Sequence, residues 1–427
     1  MKQTVWSLSC ALLLLLGACA ETRQDNGAPR RAEVLVGVDE GDLRGADNRA
    51  LQAAIDQVAG MGGGTVRIGP GTYLMRNALR LRDHVKVVGT PGKTILSACD
   101  GAKSLLACDG DCYERQITLA DPTGFKVGDG VSVWDKSAGG GFGVTTATLV
   151  AQVDERTFKI SGPLYLDYMV AQKASASVAF PIVGGWNVKD VVVEGLTIDG
   201  NKEKRERLDG CRGGGIYFFE CASMTVRNCM VRNYNGDGIS FQVCDDVTVE
   251  NCQVEQNTGL GLHPGSGSQR PVVRGNRSTG NGGDGIYVCW RVKHGIFEKN
   301  EIRDNRGVGV SIGHKDTDNL FRENTITGNV RTGVLFRDEA EPMGAHRNVF
   351  EKNVILDNGQ TEAGKPPKAC VIISGHHDAV IFRDNTIGNS RAGGPAAFGI
   401  SLGKHARDFG EEGNRFTNLD SQVHQEK

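Results

Sequence analysis

The chain has 427 residues, of which 49 are basic and 51 are acidic, so its charge is almost balanced. A balanced charge argues against nucleic acid as a partner. The 59 glycines and the aromatic content of 6% favour a fold with many tight turns and thin layers over a bulky helical core.

The N-terminal residues have the pattern of an export signal. Lys2 supplies a positive charge, and Leu12–Leu16 form an apolar run that is too short to span a membrane. The ending Leu16–Cys19 resembles a bacterial lipoprotein signal, which implies a signal peptide over residues 1–18 and a lipid on the thiol of Cys19. We therefore expect an exported, membrane-anchored lipoprotein that faces the periplasm or the cell surface. Ordinary secretion is the alternative.

The rest of the chain divides into a tether and a folded domain. Residues 19–33 are polar and patternless, which predicts a tether ahead of one domain over residues 34–427. The first clear element is a helix at Ala46–Gly60, with a cap at Asp47 or Asn48. Its apolar residues share one face: Leu51, Ile55 and Val58. A helix followed by short strands with glycine turns is typical of the covered end of a solenoid.

Residues from about 112 to 181 differ from the rest of the domain. They contain alternating strand patterns, as in Ile117–Asp135 and Ala147–Leu164, but lack the repeat found later in the chain. We interpret this stretch as a β-rich insertion beside the main stack. The regular coils are predicted over residues 184–410 or so.

A repeat of 23 or 24 residues runs through the second half of the domain. Each copy contains glycine, then an apolar, a variable and another apolar residue, and the aligned glycines are Gly215, Gly238, Gly261, Gly285, Gly309 and Gly333. Asparagines recur at two fixed positions ahead of them: Asn276, Asn300 and Asn324, and Asn257, Asn281, Asn305 and Asn329. Asparagines stacked in buried turns can satisfy one another's amides. The pattern therefore predicts an all-β parallel β-helix with about three short strands in each coil.

The segment Asp47–Met75, "DNRALQAAIDQVAGMGGGTVRIGPGTYLM", resembles the N-terminal cap of the pectate-lyase-like superfamily. This resemblance implies a right-handed parallel β-helix over nearly all of the mature chain. Leucine-rich repeats are the rival architecture, but these repeats use valine, isoleucine and phenylalanine. The resemblance is specific for the fold and not for the reaction, because the superfamily includes lyases, hydrolases, epimerases and phage tailspikes.

One strand of each coil carries the candidate site. Side chains alternate along a strand, so two positions of each strand are expected to point outwards. Residues at the same position on successive coils form a column, and adjacent coils are about 4.8 Å apart. The first column contains Tyr217, Ser240, His263, Tyr287, Ser311 and Leu335, and the second contains Phe219, Gln242, Gly265, Cys289, Gly313 and Arg337. The strand ends add Trp290, Arg291, His314, Lys315, Asp338 and Glu339. A wall with aromatic, basic and titratable groups suits an extended sugar chain that carries carboxylates.

The repeat is interrupted at one point of this wall. Pro264 occupies an apolar position, although proline removes a hydrogen bond from a sheet, and Gly265 and Gly267 follow it. Departures from a local pattern are frequent at functional sites, so we place His263 in the candidate site. A plain bulge is the alternative interpretation.

The favoured function is cleavage of an acidic, uronate-containing polysaccharide by β-elimination. This reaction needs a group that neutralises the uronate carboxylate, a base for the C5 proton and an acid for the leaving oxygen. We assign these catalytic roles to Arg337, His263 and Tyr287, with the last two interchangeable. The residues predicted to bind the polysaccharide are Gln242, Trp290, Arg291, His314, Lys315, Asp338 and Glu339.

The sequence is also compatible with three other functions. A polygalacturonase-like hydrolase needs paired carboxylates, and Asp338 and Glu339 are the only close acidic pair on the wall. A uronate epimerase and a non-catalytic carbohydrate-binding protein are further alternatives. The sequence does not indicate an oligomeric state.

The cysteines indicate no metal site. Of the 12 cysteines, Cys10 and Cys19 belong to the signal and the anchor, and no CxxC pair or cysteine–histidine spacing indicates zinc. Asp245 and Asp246 could contribute to a calcium site, but two carboxylates are not a ligand set. No cofactor is predicted. Two cysteine pairs share columns on adjacent coils, and we expect at most one of them to be bridged: Cys221 with Cys244, and Cys229 with Cys252.

Overall fold

The computed structural model describes residues 32–359 and 368–425. The predicted signal peptide over residues 1–18, the lipidation site Cys19 and the tether up to residue 31 lie outside the described residues. The residues from Ala32 onward form one compact unit. Within the described residues, no helix has the length and hydropathy needed to cross a membrane.

Three long parallel sheets stack their strands coil by coil, which confirms the predicted right-handed parallel β-helix. Sheet A contains Ala32–Gly37, Leu43–Arg44, Gly64–Ile68, Val85–Val88, Lys189–Glu194, Ala222–Arg227, Thr248–Glu250, Val272–Arg274, Ile296–Glu298, Leu320–Arg322, Val349–Glu351, Ile381–Arg383 and Gly410–Glu412. Sheet B contains Gly71–Met75, Thr94–Ala98, Thr197–Asp199, Met230–Arg232, Gln253–Glu255, Arg277–Thr279, Glu301–Arg303, Thr325–Thr327, Val354–Leu356, Thr386–Gly388 and Arg415–Thr417. Sheet C contains Leu79–Arg80, Val183–Trp186, Ile216–Phe219, Ile239–Gln242, Leu262–Gly265, Ile286–Tyr287, Val310–Ile312, Val334–Glu339, Lys368–Gly375, Ala396–Leu402 and Ser421–Gln425.

The capping helix covers the first coils. It runs from Asn48 to Gly60, and the side chain of Asp47 accepts a hydrogen bond from the amide of Arg49 at 2.9 Å. Its buried face consists of Leu51, Ala54, Ile55 and Val58, and these side chains join the same core as the strands of sheet A. The prediction of a capped amphipathic helix at this place is confirmed.

The insertion forms a separate antiparallel sheet of six strands. Its strands are Lys103–Leu105, Gln116–Thr118, Gly130–Trp134, Val144–Gln152, Thr157–Ile160 and Ser175–Ser177. The sheet begins ahead of the predicted boundary near residue 112. Four short 3-10 helices complete the described elements: Ala138–Gly141, Val170–Gln172, Lys202–Lys204 and Glu341–Met343.

Asparagine ladders hold the coils together at the predicted turns. The Nδ2 atom of Asn276 donates to Oδ1 of Asn300 at 3.1 Å, and Asn300 donates in the same way to Asn324 at 2.9 Å. A second ladder links Asn257, Asn281, Asn305, Asn329 and Asn358. Each amide also bonds to backbone groups of neighbouring coils, so these polar side chains lie in the interior without an unsatisfied group.

The two cysteine pairs lie at corresponding positions of adjacent coils. Cys229 and Cys252 stand at the head of the first ladder, where the amide of Cys252 donates to Oδ1 of Asn276 at 2.9 Å. Both pairs, including Cys221 with Cys244, are buried free thiols in this structure. The expectation that at most one of them is bridged stays a prediction.

Candidate active site

The outer face of sheet C is partly covered by a long connection from sheet B. In this coil 16 residues join Thr197–Asp199 to Ile216–Phe219, whereas six join the equivalent strands of the next coil. We call residues 205–214 the cover segment. Hydroxyl groups of sheet C hold it down: Ser240 Oγ donates to the carbonyl of Gly210 at 2.6 Å, and the Tyr217 hydroxyl donates to the carbonyl of Cys211 at 3.0 Å.

His263 lies beneath the cover segment and is paired with Asp237. The Nδ1 atom of His263 is 2.7 Å from Oδ2 of Asp237, and both side chains are 3% exposed. Burial lowers the pKa of His263, but the hydrogen bond and the charge of Asp237 outweigh it, so that the pKa is raised overall. Asp237 also accepts a hydrogen bond from the amide of Leu260 at 2.9 Å. Its bond to His263 was not predicted.

The outward columns are less open than the repeat predicts. The apolar positions face the core as expected, but Tyr217, Ser240, Gln242, His263 and Ser311 are buried as well. The expectation that His263 stands on an open wall is therefore wrong, because the repeat does not reveal that a connection from another sheet folds over this face. Gln242 is enclosed too, and its Nε2 atom donates to Ser240 Oγ at 3.0 Å. It therefore offers no surface to a polysaccharide in this structure.

The proline changes the pairing between two coils. On the following coil the amide of Val288 donates to the carbonyl of Ser311 at 2.9 Å. The equivalent donor to the carbonyl of Tyr287 would be residue 264, which is proline and has no N–H. Between these coils sheet C keeps the pairing of Leu262 with Ile286 and a bridge between Gly265 and Cys289, whose amide donates to the carbonyl of Pro264 at 2.9 Å. The proline therefore removes one hydrogen bond next to Tyr287, and the pairing continues on both sides of it.

Tyr287 and Arg337 form the accessible part of the site. The Arg337 guanidinium lies 4.5 Å from the centre of the Tyr287 ring, and that ring packs edge-on against His263 with centroids 5.5 Å apart. Burial raises the pKa of Tyr287 to about 12, although Arg337 opposes the shift. Tyr287 is half-buried, and its hydroxyl makes no hydrogen bond within the described part of the chain. The structure thus brings together the three predicted catalytic residues.

A buried carboxyl supports Arg337 from the core side. Arg337 donates to the carbonyl of Val288 at 3.0 Å, to Oδ2 of Asp316 at 3.2 Å and to Ser311 Oγ at 3.1 Å. Burial raises the pKa of Asp316 to about 7, against the lowering effect of Arg337. Burial thus disfavours the ionised carboxylate of Asp316, whereas its hydrogen bonds from Arg337 and from the amides of Val292 and Gly313 favour it. This role of Asp316 was not predicted from the sequence.

The other predicted binding residues form a second cluster at the strand ends. Trp290 is 47% exposed and stacks on His314 with ring centroids 4.6 Å apart. The amide of His314 donates to Oε1 of Glu339 at 3.0 Å, and its Nδ1 atom lies 3.3 Å from Oε2. Arg291 and Asp338 are exposed, and Lys315 and Glu339 are half-buried.

A groove not predicted from the sequence lies on the same face, beside the insertion. It has a volume of about 640 Å³, and its walls include Arg80, Tyr165, Trp186, Arg212, Tyr217 and Phe219. The Arg80 guanidinium lies 4.7 Å from the centre of the Trp186 ring, and Trp186 and Tyr217 are 6.1 Å apart. The groove combines aromatic surface with two cations, Arg80 and Arg212, and one carboxylate, Glu220. Its walls come from the insertion, the first coils and the cover segment, so the repeat could not reveal it.

The acidic pair considered for calcium is already neutralised. Asp246 accepts two hydrogen bonds from Arg270, at 2.7 and 2.9 Å, and Asp245 lies 3.5 Å from the same guanidinium. All three side chains are exposed. This geometry is that of a surface ion pair and offers no calcium ligand set.

Solved structures with a similar backbone include two epimerase modules and a tailspike protein. The A-module of Azotobacter vinelandii mannuronan C-5 epimerase AlgE4 matches with a TM-score of 0.57 and 16% identity, over 92% of this chain and 99% of that chain. The AlgE6 A-module of the same organism matches with a TM-score of 0.57 and 18% identity, over 91% and 95%. The Dettilon tailspike protein gp208 matches with a TM-score of 0.53 and 14% identity, over 88% and 64%. At these identities the likeness shows the fold alone.

Sequence comparison gives the family directly. No curated protein matches the chain at a significant level. Residues 182–341 and 267–418 match the family described as right handed beta helix region, and together these ranges span more than half of the chain. This chain therefore belongs to the right-handed β-helix family.

Proposed function

We propose that this protein is a carbohydrate-active enzyme that cleaves an acidic polysaccharide by β-elimination on the outer face of sheet C. The observation that carries the proposal is the pairing of Arg337 with Tyr287 on a face that also holds an aromatic, cationic groove. Aromatic rings supply apolar area for sugar rings, and guanidinium groups meet carboxylates. The likeness to modules named mannuronan C-5 epimerase is compatible with a uronate polymer.

The accessible residues can be placed in the reaction. Arg337 pairs with the uronate carboxylate, which makes the neighbouring C5 proton removable. Tyr287 takes that proton, the C4–O bond breaks as the C4–C5 double bond forms, and Tyr287 returns the proton to the leaving oxygen. Burial raises the pKa of Tyr287 to about 12, so the hydroxyl must first release its own proton to solvent before the tyrosinate can act as the base. Arg337 opposes this rise and so favours the tyrosinate. His263 is enclosed, so we assign it a positioning role against the Tyr287 ring.

A panel of uronate polymers tests the proposal. The purified protein is incubated with polymers that differ in uronate type, in D₂O, and the ultraviolet absorbance of an unsaturated product is followed. We expect this chromophore to appear with at least one polymer. Reducing ends without a chromophore would indicate hydrolysis, and binding without any product would indicate a non-catalytic protein. Either result would overturn the elimination mechanism.

C5 epimerisation is the second candidate, since it starts with removal of the same proton next to the same carboxylate. The same incubation separates the two reactions. Epimerisation places deuterium at C5 in a polymer of unchanged length, whereas elimination shortens the polymer. Deuterium at C5 without a chromophore would therefore move the assignment to an epimerase that uses the same two residues.

A further inference from the structure

Two cysteines and His263 meet beneath the cover segment. The sulfur atoms of Cys211 and Cys289 and a ring nitrogen of His263 lie within 4.8 Å of one another. Cys211 belongs to the cover segment, His263 to the strand Leu262–Gly265, and Cys289 follows the next strand of sheet C. Because the three donors come from separate coils, no sequence spacing indicates the cluster.

The nitrogen that faces this cluster has no other partner. Since Nδ1 of His263 is bonded to Asp237, Nε2 is the atom left for a ligand. Nε2 is buried and has no hydrogen-bond partner among the described residues. Burying such an atom without a partner is unfavourable, so the site favours a ligand for it. An imidazole held by a carboxylate on one nitrogen, with the other nitrogen free, has the arrangement found in metal sites.

The cover segment places Cys211 by several contacts. The amide of Cys211 donates to Oδ1 of Asp209 at 2.9 Å, and its carbonyl is held by the Tyr217 hydroxyl. Gly210 approaches Asp237 so closely that a Cβ atom there would lie 1.7 Å from Oδ2 of Asp237. Only glycine allows this approach. The backbone of Cys211 is therefore held in place from both sides.

We propose that Cys211, His263 and Cys289 bind a zinc ion, with Asp237 holding His263 from behind. Thiolates and imidazole are preferred zinc ligands, at about 2.3 and 2.0 Å. At tetrahedral angles these bond lengths place the two sulfur atoms about 3.8 Å apart and each sulfur about 3.5 Å from the nitrogen, so the cluster has to contract by at most about 1.3 Å. Each thiol releases its proton to solvent on binding.

Three protein ligands leave a fourth position for water. Cys211 is partly exposed, which gives solvent a path to that position. The ion would tie the cover segment to two coils of sheet C. This proposal concerns metal binding and does not rest on the proposed polysaccharide activity.

Zinc binding is measured on the reduced, chelator-treated protein with Zn²⁺ alone. We expect one equivalent to bind and the melting temperature to rise with zinc until the site is saturated. With Co²⁺ as the probe, we expect thiolate charge-transfer absorption and the visible bands of a tetrahedral site. Both readouts are independent of enzyme activity.

Variants identify the ligands. Cys211→Ser, Cys289→Ser and His263→Gln are each expected to lose stoichiometric binding, and Asp237→Asn to weaken it by about 10–100-fold. The matched control is Cys244→Ser, which removes a buried thiol that follows the sheet C strand Ile239–Gln242 and is outside the cluster.

Three results would overturn the site. One is the absence of stoichiometric zinc in the parent protein, and another is unchanged affinity in the double variant of Cys211 and Cys289. The third is a Cys211–Cys289 disulfide in metal-free protein purified without reductant. If a cysteine variant fails to fold, the parent's Co²⁺ spectrum decides, because a spectrum without thiolate charge transfer contradicts the proposed ligands.

Discussion

Tyr287 differs from a fully buried tyrosine of the same domain in what its hydroxyl contacts. The Tyr234 hydroxyl donates to the carbonyl of Phe180 at 2.9 Å, whereas the Tyr287 hydroxyl has no protein partner in the described part of the chain. We therefore expect Tyr287→Phe to reduce turnover by about 10²–10⁴-fold and to leave the melting temperature unchanged. Tyr234→Phe is the matched control, with an expected loss of about 1 kcal/mol in stability and parental turnover. Parental turnover in Tyr287→Phe would remove Tyr287 from the reaction.

The raised pKa of Asp316 makes stability depend on pH. A carboxyl whose pKa rises from 3.8 to about 7 on folding stabilises the protein fully below pH 3.8, and this contribution is lost as the pH rises through about 7. Asp316→Asn has no titrating group at this position. The unfolding free energy of the parent relative to this variant should therefore fall between about pH 4 and pH 7. Denaturant unfolding over this range measures it, and a difference independent of pH would show that Asp316 stays ionised beside Arg337.

At the level of elements, the asparagine ladder predicts where the stack is most sensitive. Asn300 donates to the carbonyl of Val273 and to Asn324, and its Oδ1 atom accepts from the amide and the Nδ2 atom of Asn276. Asn300→Ala removes these four hydrogen bonds and leaves the buried amide of Asn276 without a partner, while Asn324 Oδ1 and Asn276 Nδ2 keep one bond each. An unpartnered buried group costs about 1–3 kcal/mol, and each lost hydrogen bond about 1 kcal/mol. We expect a loss of about 3 kcal/mol or more in denaturant unfolding. Lys299→Ala, in the same turn with a side chain that is 64% exposed, should change stability by less than about 0.5 kcal/mol. Equal effects would contradict a structural role of the ladder.

Features that repeat from coil to coil could be predicted from the sequence, and features that occur only once could not. The ladders, the inward apolar columns and the capping helix follow from periodicity, because each coil repeats the environment of the one before. The enclosure of His263 depends on the cover segment, which occurs once in the chain and has no repeat to reveal it. The bond from Asp237 to His263 depends in turn on how that segment and the turn at Asp237 pack. The repeat was therefore sufficient to predict the fold. The candidate site could not be predicted fully, because it depends on contacts that occur only once in the chain.

At the scale of the whole molecule, the predicted lipid anchor remains a proposal. If Cys19 carries a lipid, the protein should fractionate with membranes, and Cys19→Ser should move it to the soluble fraction without changing its melting temperature. Cys10→Ser is the control, because this cysteine lies within the predicted signal peptide over residues 1–18. Membrane association that persists in Cys19→Ser would contradict lipidation at this residue.

On the face of sheet C, the distance between the aromatic groove and the Tyr287–Arg337 pair predicts how activity depends on substrate length. Trp186 and Tyr287 are four coil steps apart, which corresponds to about 19 Å. An oligomer long enough to reach both should bind more tightly than a short one, because only the long one contacts the aromatic groove. Trp186→Ala should therefore raise KM for long oligomers by about 5–150-fold, the range expected for about 1–3 kcal/mol of ring contact, and leave KM for short oligomers unchanged.

Steady-state kinetics on a size-fractionated oligomer series measures this effect. Tyr113→Ala is the control, because it removes a ring that is 79% exposed on the insertion and does not line the groove. It should change KM for neither short nor long oligomers. Suppose that Trp186→Ala affects short and long oligomers equally. The groove and the Tyr287–Arg337 pair would then not act on one polymer chain, and the groove would have to serve a different ligand.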